Sequence, residues 1–354
     1  MALDFPTSPT NGQEYTIGNN TYVWDSTATV WDLKPVTGGA STLVDLTDTT
    51  ISTPTDAQVL TYDTATSKWI NSTPSAGGGI GEFIGTGNIA VSQDNSAGSS
   101  VTIGTYNTTM SIFAGDAITS GSNNLCIGGN SGTSITTTSG NVALGSNAGR
   151  FIKGSSNIAV GQSALFGNST TFTGSFNTGV GFETGQSLTT GQYNVLNGYQ
   201  AGYSATTSTD LIAIGQSAGY AIQAGTGSVV IGHGAGQYQQ NLTGSVYIGE
   251  FAGKGTVGVS NYTNHNVCVG LSSGEALTSG DFNTYLGTHS GDSNTSGEYN
   301  VSIGYYAGAN ETAASNKLHI ANNATESLIE GDFAARTLTV NGDLTADNLD
   351  GGTF

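Results

Sequence analysis

Charged residues are scarce in this chain, and lysine and arginine are almost missing. Only 9% of the 354 residues are charged, and seven Lys and Arg against 25 Asp and Glu give a formal net charge of −18. A surface of this sign repels nucleic acids and anionic lipids. No stretch approaches the roughly 18 apolar residues of a membrane-spanning helix, and the opening residues lack a cationic or apolar segment. We therefore expect no nucleic-acid partner, no membrane insertion and no secretion signal.

Cysteine and histidine are also few. Cys126 and Cys268 are the only cysteines, and they occupy the same position in two distant repeats. The four histidines, which lack the spacing of a zinc site, are His233, His265, His289 and His319. We expect two buried free thiols, no disulfide framework and no transition metal.

Glycine, by contrast, is abundant, and it marks a short repeat. The pattern is a small polar residue, an apolar one, a variable one, an apolar one and then Gly. Its eleven central glycines are Gly128, Gly145, Gly161, Gly181, Gly198, Gly215, Gly232, Gly249, Gly270, Gly287 and Gly304. Such a unit predicts one short strand followed by a turn with positive φ. Stacked units of this length predict an all-β fold, a β-solenoid (β-helix or β-roll) of roughly 17-residue coils.

The repeat strands are apolar on both faces. We expect the second and fourth positions, such as Val142 and Leu144, to point into the coil and the third to point outward. The outward set is Cys126, Ala143, Ala159, Leu196, Ala213, Val230, Tyr247, Cys268 and Tyr285. An exposed apolar stripe calls for a covering partner. The sequence therefore predicts a homotrimer with these residues at the interface; the alternative is a monomer in which they are incidental.

Composition divides the chain into five parts. Residues 1–35 predict a β-hairpin with Tyr15, Tyr22, Trp24 and Trp31 in an aromatic core, and residues 36–79 predict a second small β-module and a Gly-rich linker. Residues 80–123, with degenerate repeats at 88–92, 100–104 and 111–115, predict a solenoid entry with shorter coils. Residues 124–315 are the regular solenoid, and residues 316–354 predict a β collar or cap.

Several segments resemble viral fibre proteins. SVVIGHGAG (228–236), NIAVGQSAL (157–165) and NVSIGYYAG (300–308) resemble the head repeats of trimeric autotransporter adhesins and, more closely, the repeats of phage tail fibres. Residues 3–33 and 43–71 are similar to modules of fibre proteins from marine tailed bacteriophages of the cyanophage type, and residues 317–349 resemble the collar of such fibres.

This resemblance implies a virion protein, made in the host cytoplasm, that attaches the phage to its host. Residues 1–75 would dock on a tail or adaptor protein, and the partner at the other end would be a host glycan or protein receptor. Adhesion without catalysis is the expected function. The alternatives are a solenoid polysaccharide depolymerase and a bacterial surface adhesin.

Candidate site residues gather in the last coils. In the repeat register Glu275 aligns with Asp292, and Asp281 aligns with Glu298, so these carboxylates could hold Ca²⁺ or act as a glycosidase pair; as solvated turn residues they would do neither. We otherwise expect no cofactor. The expected receptor-binding side chains are Phe282, His289, Tyr299, Tyr305 and Tyr306.

Two pentapeptides imitate a hydrolase motif. GQSAG (215–219) and GLSSG (270–274) match the nucleophile elbow, in which a serine lies between a strand and a helix. Both lie at the repeat turn, where the repeat predicts no helix, and other copies carry Gln, Asn or Tyr at the serine position. We expect no catalytic residue here.

Overall fold

The chain divides into two compact units, Met1–Ala76 and Gly77–Phe354. A computed structural model describes residues 7–17, 20–33, 49–50, 59–63, 68–72, 87–91, 97–100, 104–167 and 172–345. Within these residues every regular element is a strand; there is no helix, and so none long and apolar enough to cross a membrane. The boundary between the units falls in the Ser75 to Gly79 stretch, where the composition changes.

The first unit contains two small sheets. Strands β1 (Glu14–Ile17), β2 (Asn20–Asp25) and β3 (Val30–Leu33) pair antiparallel in chain order. Trp31 packs against Trp24, with ring centroids 5.5 Å apart, and against Tyr15 at 6.1 Å. In the second sheet, β4 (Thr49–Thr50) pairs parallel with β6 (Lys68–Ser72), which pairs antiparallel with β5 (Val59–Asp63).

The described residues of the second unit form a β-solenoid of about 13 coils, which confirms the predicted solenoid. Each coil contributes one three-residue strand to a parallel sheet, and these strands are β7 (Ile89–Val91), β8 (Thr108–Met110), β9 (Leu125–Ile127), β10 (Val142–Leu144), β11 (Ile158–Val160), β12 (Thr178–Val180), β13 (Val195–Asn197), β14 (Ile212–Ile214), β16 (Val229–Ile231), β18 (Val246–Ile248), β20 (Val267–Val269), β21 (Thr284–Leu286) and β22 (Val301–Ile303). Neighbouring strands are in register, so that Ala143 pairs with Ala159.

Further strands lie beside and after this sheet. Three coils carry an additional parallel sheet made of β15 (Ala224–Thr226), β17 (Asn241–Thr243) and β19 (Tyr262–Asn264). At the end of the solenoid, β23 (Lys317–Ala321) pairs parallel with β22, and β24 (Ser327–Asp332) and β25 (Thr337–Val340) then extend the sheet antiparallel.

The first coils are longer than the sequence pattern predicted. Ile89 pairs directly with Thr108, and Thr108 pairs with Leu125, so these coils match the later ones in length rather than being shorter. The stretch 111–115 is the turn after β8, not a strand. Ser111 occupies the position of the central glycine with a φ of 98°. A pattern that requires glycine there misplaces the strand.

The facing of the strand residues is the reverse of the prediction. The middle side chain of each three-residue strand points into the coil and is buried, while the two flanking side chains are half-buried or exposed. The nine residues predicted to face a trimer partner are instead almost fully enclosed within their own chain: Cys126, Ala143, Ala159, Leu196, Ala213, Val230, Tyr247, Cys268 and Tyr285. They are therefore unavailable to a second copy.

The narrow interior of the coil explains this facing. The second glycine of the repeat lies opposite the middle strand residue. A Cβ at Gly132 would come within 2.6 Å of the Cys126 sulfur, and one at Gly253 within 2.5 Å of the Tyr247 ring. An alanine or cysteine side chain therefore fits in the interior. A tyrosine fits only because a glycine lies opposite its ring. Two bulky β-branched side chains per strand do not fit inside, so they face outward.

The central glycines bring consecutive coils into close contact. Their φ angles lie between 113° and 134°, which confirms the predicted turn. A Cβ at Gly215 would lie 2.7 Å from the carbonyl oxygen of Gly232 in the next coil. A side chain at these eleven glycines would meet the backbone of the next coil, so both conformation and space favour glycine there; Ser111 is the exception in the first coils.

A ladder of buried asparagines precedes the strands. The Oδ1 of Asn157 accepts hydrogen bonds from the backbone N–H of Asn177 at 3.0 Å and from its Nδ2 at 3.1 Å. The Nδ2 of Asn157 donates to the Gly174 carbonyl at 3.0 Å. The column runs through Asn88, Asn107, Asn124, Asn141, Asn157, Asn177 and Asn194, changes to Leu211, Ser228 and Ser245, and resumes at Asn266, Asn283 and Asn300. It satisfies backbone groups at the coil corner.

We predict that Asn157→Ala lowers the free energy of unfolding by about 2–4 kcal/mol, because several buried polar groups lose their partners at about 1–3 kcal/mol each. Chemical denaturation measures the change, with the exposed Thr137→Ala as the control. Equal stability of the two variants would show that the ladder contributes little.

Candidate functional site

The expected receptor-binding side chains lie in two separate stacks, one on each side of the strand column. Phe282 and Tyr299 belong to the first stack, which also contains His265. His289, Tyr306 and Tyr305 belong to the second. The stacks arise because residues at equal positions in neighbouring coils lie directly above one another.

The first stack consists of parallel rings at the corner before the asparagine ladder. The Phe282 ring lies 5.0 Å from His265 and 5.1 Å from Tyr299, with interplanar angles of 3° and 2°. All three residues have φ between 56° and 58°. Both faces of Phe282 are therefore covered, and only its edge and the outer surface of the stack can contact a ligand.

The second stack follows the central glycine. His289 stacks on Tyr306 with centroids 4.5 Å apart, and Tyr305 meets Tyr306 edge-on, also at 4.5 Å. Tyr305 is 53% exposed. A ligand at this stack would meet an aromatic surface with phenolic hydroxyls at its rim.

Earlier coils carry the same kind of stack, which sequence reasoning missed. Phe176 stacks on Tyr193 at 5.2 Å, in the column of Phe282, and Phe182 stacks on Tyr199 at 5.4 Å. A third pair, Tyr203 and Tyr220, lies 4.9 Å apart. Aligning the coils by their central glycines would have revealed all three pairs.

The predicted carboxylate pairs do not form one cluster. The Glu275 carboxylate accepts from Lys254 Nζ at 3.0 Å. Asp292 contacts Ser293 and His289, each at 3.2 Å. Burial raises the pKa of Asp292, and the negative charge of the neighbouring Glu275 raises it further. Ala276 N–H donates to the Asp292 carbonyl at 3.0 Å, so Glu275 and Asp292 occupy equal positions in neighbouring coils, as the repeat register predicted.

The second carboxylate pair has a structural contact of its own. Asp281 accepts the backbone N–H of Asn264 at 2.6 Å, and the Asp281 carbonyl accepts the N–H of Tyr299, next to Glu298, at 3.2 Å. Nowhere in the described part of the chain do three His, Cys, Asp or Glu side chains come together as metal ligands. The Ca²⁺ expectation gains no support from these positions.

The hydrolase-like motifs and the cysteines are buried. Ser217 and Ser272 lie in the repeat turn with φ of 54° and 52°, and their residues are 8% and 4% exposed. Cys126 and Cys268 are free and buried, as predicted. Burial raises the pKa of Cys126 to about 12 and raises that of Cys268 as well. Both thiols therefore stay protonated at neutral pH and are poor nucleophiles.

Comparison of the chain with family models, curated proteins and solved structures finds no match.

We predict that Phe282→Asn lowers the free energy of unfolding by about 1–3 kcal/mol, because two ring contacts worth about 0.5–1.5 kcal/mol each are lost. The backbone tolerates asparagine, since Asn123 and Asn316 stand in the same column with φ of 57° and 62°. Phe176→Asn, which loses one ring contact, is the matched control in chemical denaturation. A larger loss in the control would contradict the stacking account.

Proposed function

We propose that this chain is a homotrimeric host-attachment fibre of a tailed bacteriophage, which binds the host surface by adhesion and without catalysis. The observation that carries the proposal is the apolar outer face of the parallel sheet. The resemblance of the repeats and terminal segments to phage fibres supports the same assignment.

This outer face consists of two apolar columns along the whole solenoid. The 13 strands provide 26 flanking positions; none is charged, and only Thr108, Thr178, Asn197 and Thr284 are polar. Exposed examples are Ile158, at 40%, and Leu286, at 46%. A continuous apolar surface of this length, without a charged side chain, indicates an interface.

The occupant that fits this face is another copy of the same chain. Strands within a sheet are spaced about 4.8 Å apart, and the columns repeat their side chains at that spacing. A parallel copy offers the same side chains at the same intervals. In a closed cyclic assembly the apolar face of every copy is covered in the same way. An assembly of three copies fits a chain that carries a single apolar face. The interface is thus assigned to the flanking residues, not to the buried middle ones.

Trimerisation would multiply weak contacts. Each copy presents the two aromatic stacks of the last coils, and three equivalent sites gain strength from their effective concentration on a host surface. Residues 1–75 would dock the other end on a tail or adaptor protein.

We predict that Ile231→Glu converts the particle from a trimer to a monomer, because it places one uncompensated carboxylate per chain in an apolar interface. Light scattering should give about three times the chain mass of 35.7 kDa for the unmodified protein and that mass itself for the variant. The exposed Thr207→Glu, outside the stripe, should stay trimeric. A monomeric unmodified protein would refute the interface.

The attachment function is tested with labelled full-length protein on a panel of marine cyanobacteria. We expect binding to cells of some strains and no release of reducing sugar from their isolated polysaccharide. Phe282→Asn should reduce cell binding more than Phe176→Asn. Sugar release would identify a depolymerase instead, and the absence of binding to any strain would count against the proposal.

Docking is tested separately by deleting residues 1–75. The shortened chain should still form trimers, since the apolar columns remain, but it should no longer assemble onto tails. Unimpaired assembly would contradict the docking role.

A further inference from the structure

The coil between Gly249 and Gly270 carries an extra loop. The chain from Gly249 to Gly270 takes 21 residues, against the usual 17. Gly255 N–H bonds to the Glu275 carbonyl at 2.9 Å, and Tyr262 N–H bonds to the Thr278 carbonyl at 2.8 Å. Residues 256–261 therefore lie opposite only residues 276–277 of the next coil. The surplus forms a loop that leaves the coil surface.

This loop is held in one conformation from inside. The buried Asn261 donates from Nδ2 to the carbonyls of Thr256 and Tyr238, each at 2.8 Å. Gln239 crosses the gap beneath the loop and donates to the Gly253 carbonyl at 2.9 Å and the Leu277 carbonyl at 3.0 Å. The loop is thus preorganised, although Val257 at its tip is 67% exposed.

Beside the loop lies a groove of about 640 Å³, which is within the usual size range of small-ligand sites. Its lining includes Tyr238, Lys254, Val257, Glu275 and Asp292. The loop forms one wall, and the two following coils form the other. Gly255, Thr256 and Val257 are among the lining residues, so the inserted loop builds part of the groove.

Donors and acceptors lie close together along this groove. The ion pair of Lys254 and Glu275 holds both side chains in place, at 26% and 33% exposure. Asp292 is likewise fixed by Ser293 and His289. The apolar surfaces of Tyr238 and Val257 stand beside these polar groups. A ligand here meets carboxylate acceptors and an ammonium donor next to apolar patches.

We propose that this groove binds a neutral saccharide of the host surface, an inference that rests on the proposed attachment function. Adjacent sugar hydroxyls donate to fixed carboxylates and accept from the lysine. The C–H face of the ring packs on Tyr238 and Val257. The lining carries two carboxylates and one ammonium, and the whole chain carries −18, so sialylated or uronic sugars are repelled.

A glycan array with full-length protein tests the proposal. The array carries neutral hexose oligomers, sialylated glycans and uronic-acid polymers, and titration then gives the affinity for the best neutral glycan. Ser293→Trp fills the groove and should abolish this binding. Ser134→Trp is the matched control, because Ser134 is also half-buried and also lies six residues after a central glycine. Asp292→Asn should weaken binding about tenfold or more.

The outcomes separate this site from the attachment function. Neutral-glycan binding that is lost in Ser293→Trp and kept in Ser134→Trp supports the groove. Unchanged affinity in both Ser293→Trp and Asp292→Asn overturns it, as does a preference for anionic glycans or no glycan binding at all. Cell adsorption measured on the same variants decides independently whether attachment stands: adsorption without glycan binding in the groove places the receptor contact elsewhere.

Discussion

The close contact between consecutive coils at the central glycines is the constraint on which the rest depends. The carbonyl of one coil lies where a Cβ of the previous coil would be, as Gly215 and Gly232 show. Every coil is thereby held at one height and in one register. Equal positions then stack directly, which produces the asparagine ladder, the aromatic stacks and the two apolar columns. Each column therefore follows from the close contact between the backbones of consecutive coils.

The sequence was sufficient to predict the coil, its period and the positive φ of its turn, because glycine and alternation report on the backbone. It was not sufficient to tell inside from outside. Both faces of VAL at 142–144 are apolar, and alternation alone is symmetrical between them. What separates the faces is the width of the interior, which admits Ala143 and rejects a pair of bulky side chains. Ser111 in a glycine position likewise caused the repeat of that coil to be placed at 111–115 instead of at the strand Thr108–Met110.

In the candidate site, too, the repeat register predicted some features and not others. Alignment by repeat correctly placed Glu275 beside Asp292. The same register also aligns Lys254 with Glu275, since each lies five residues after its central glycine, but a search limited to carboxylates passed over the lysine that pairs with Glu275 at 3.0 Å. The five aromatic candidates were found as a group, but their separation into two stacks follows from the opposite corners of the coil. The groove could not be predicted from the register, because the inserted residues 256 and 257 form part of its lining.

The replacement of asparagine by Leu211, Ser228 and Ser245 has a mechanical meaning. In the coils that follow Leu211, the hydroxyls of Ser228 and Ser245 accept the backbone N–H of the next coil, and the sheet of β15, β17 and β19 adds a second main-chain ladder. A pull along the solenoid axis would load the main-chain hydrogen bonds of the long parallel sheet in every coil. Amide side chains share that load in the early coils, and the second main-chain ladder shares it in the middle ones. The additional links between coils therefore change in kind along the solenoid, while the long sheet stays continuous.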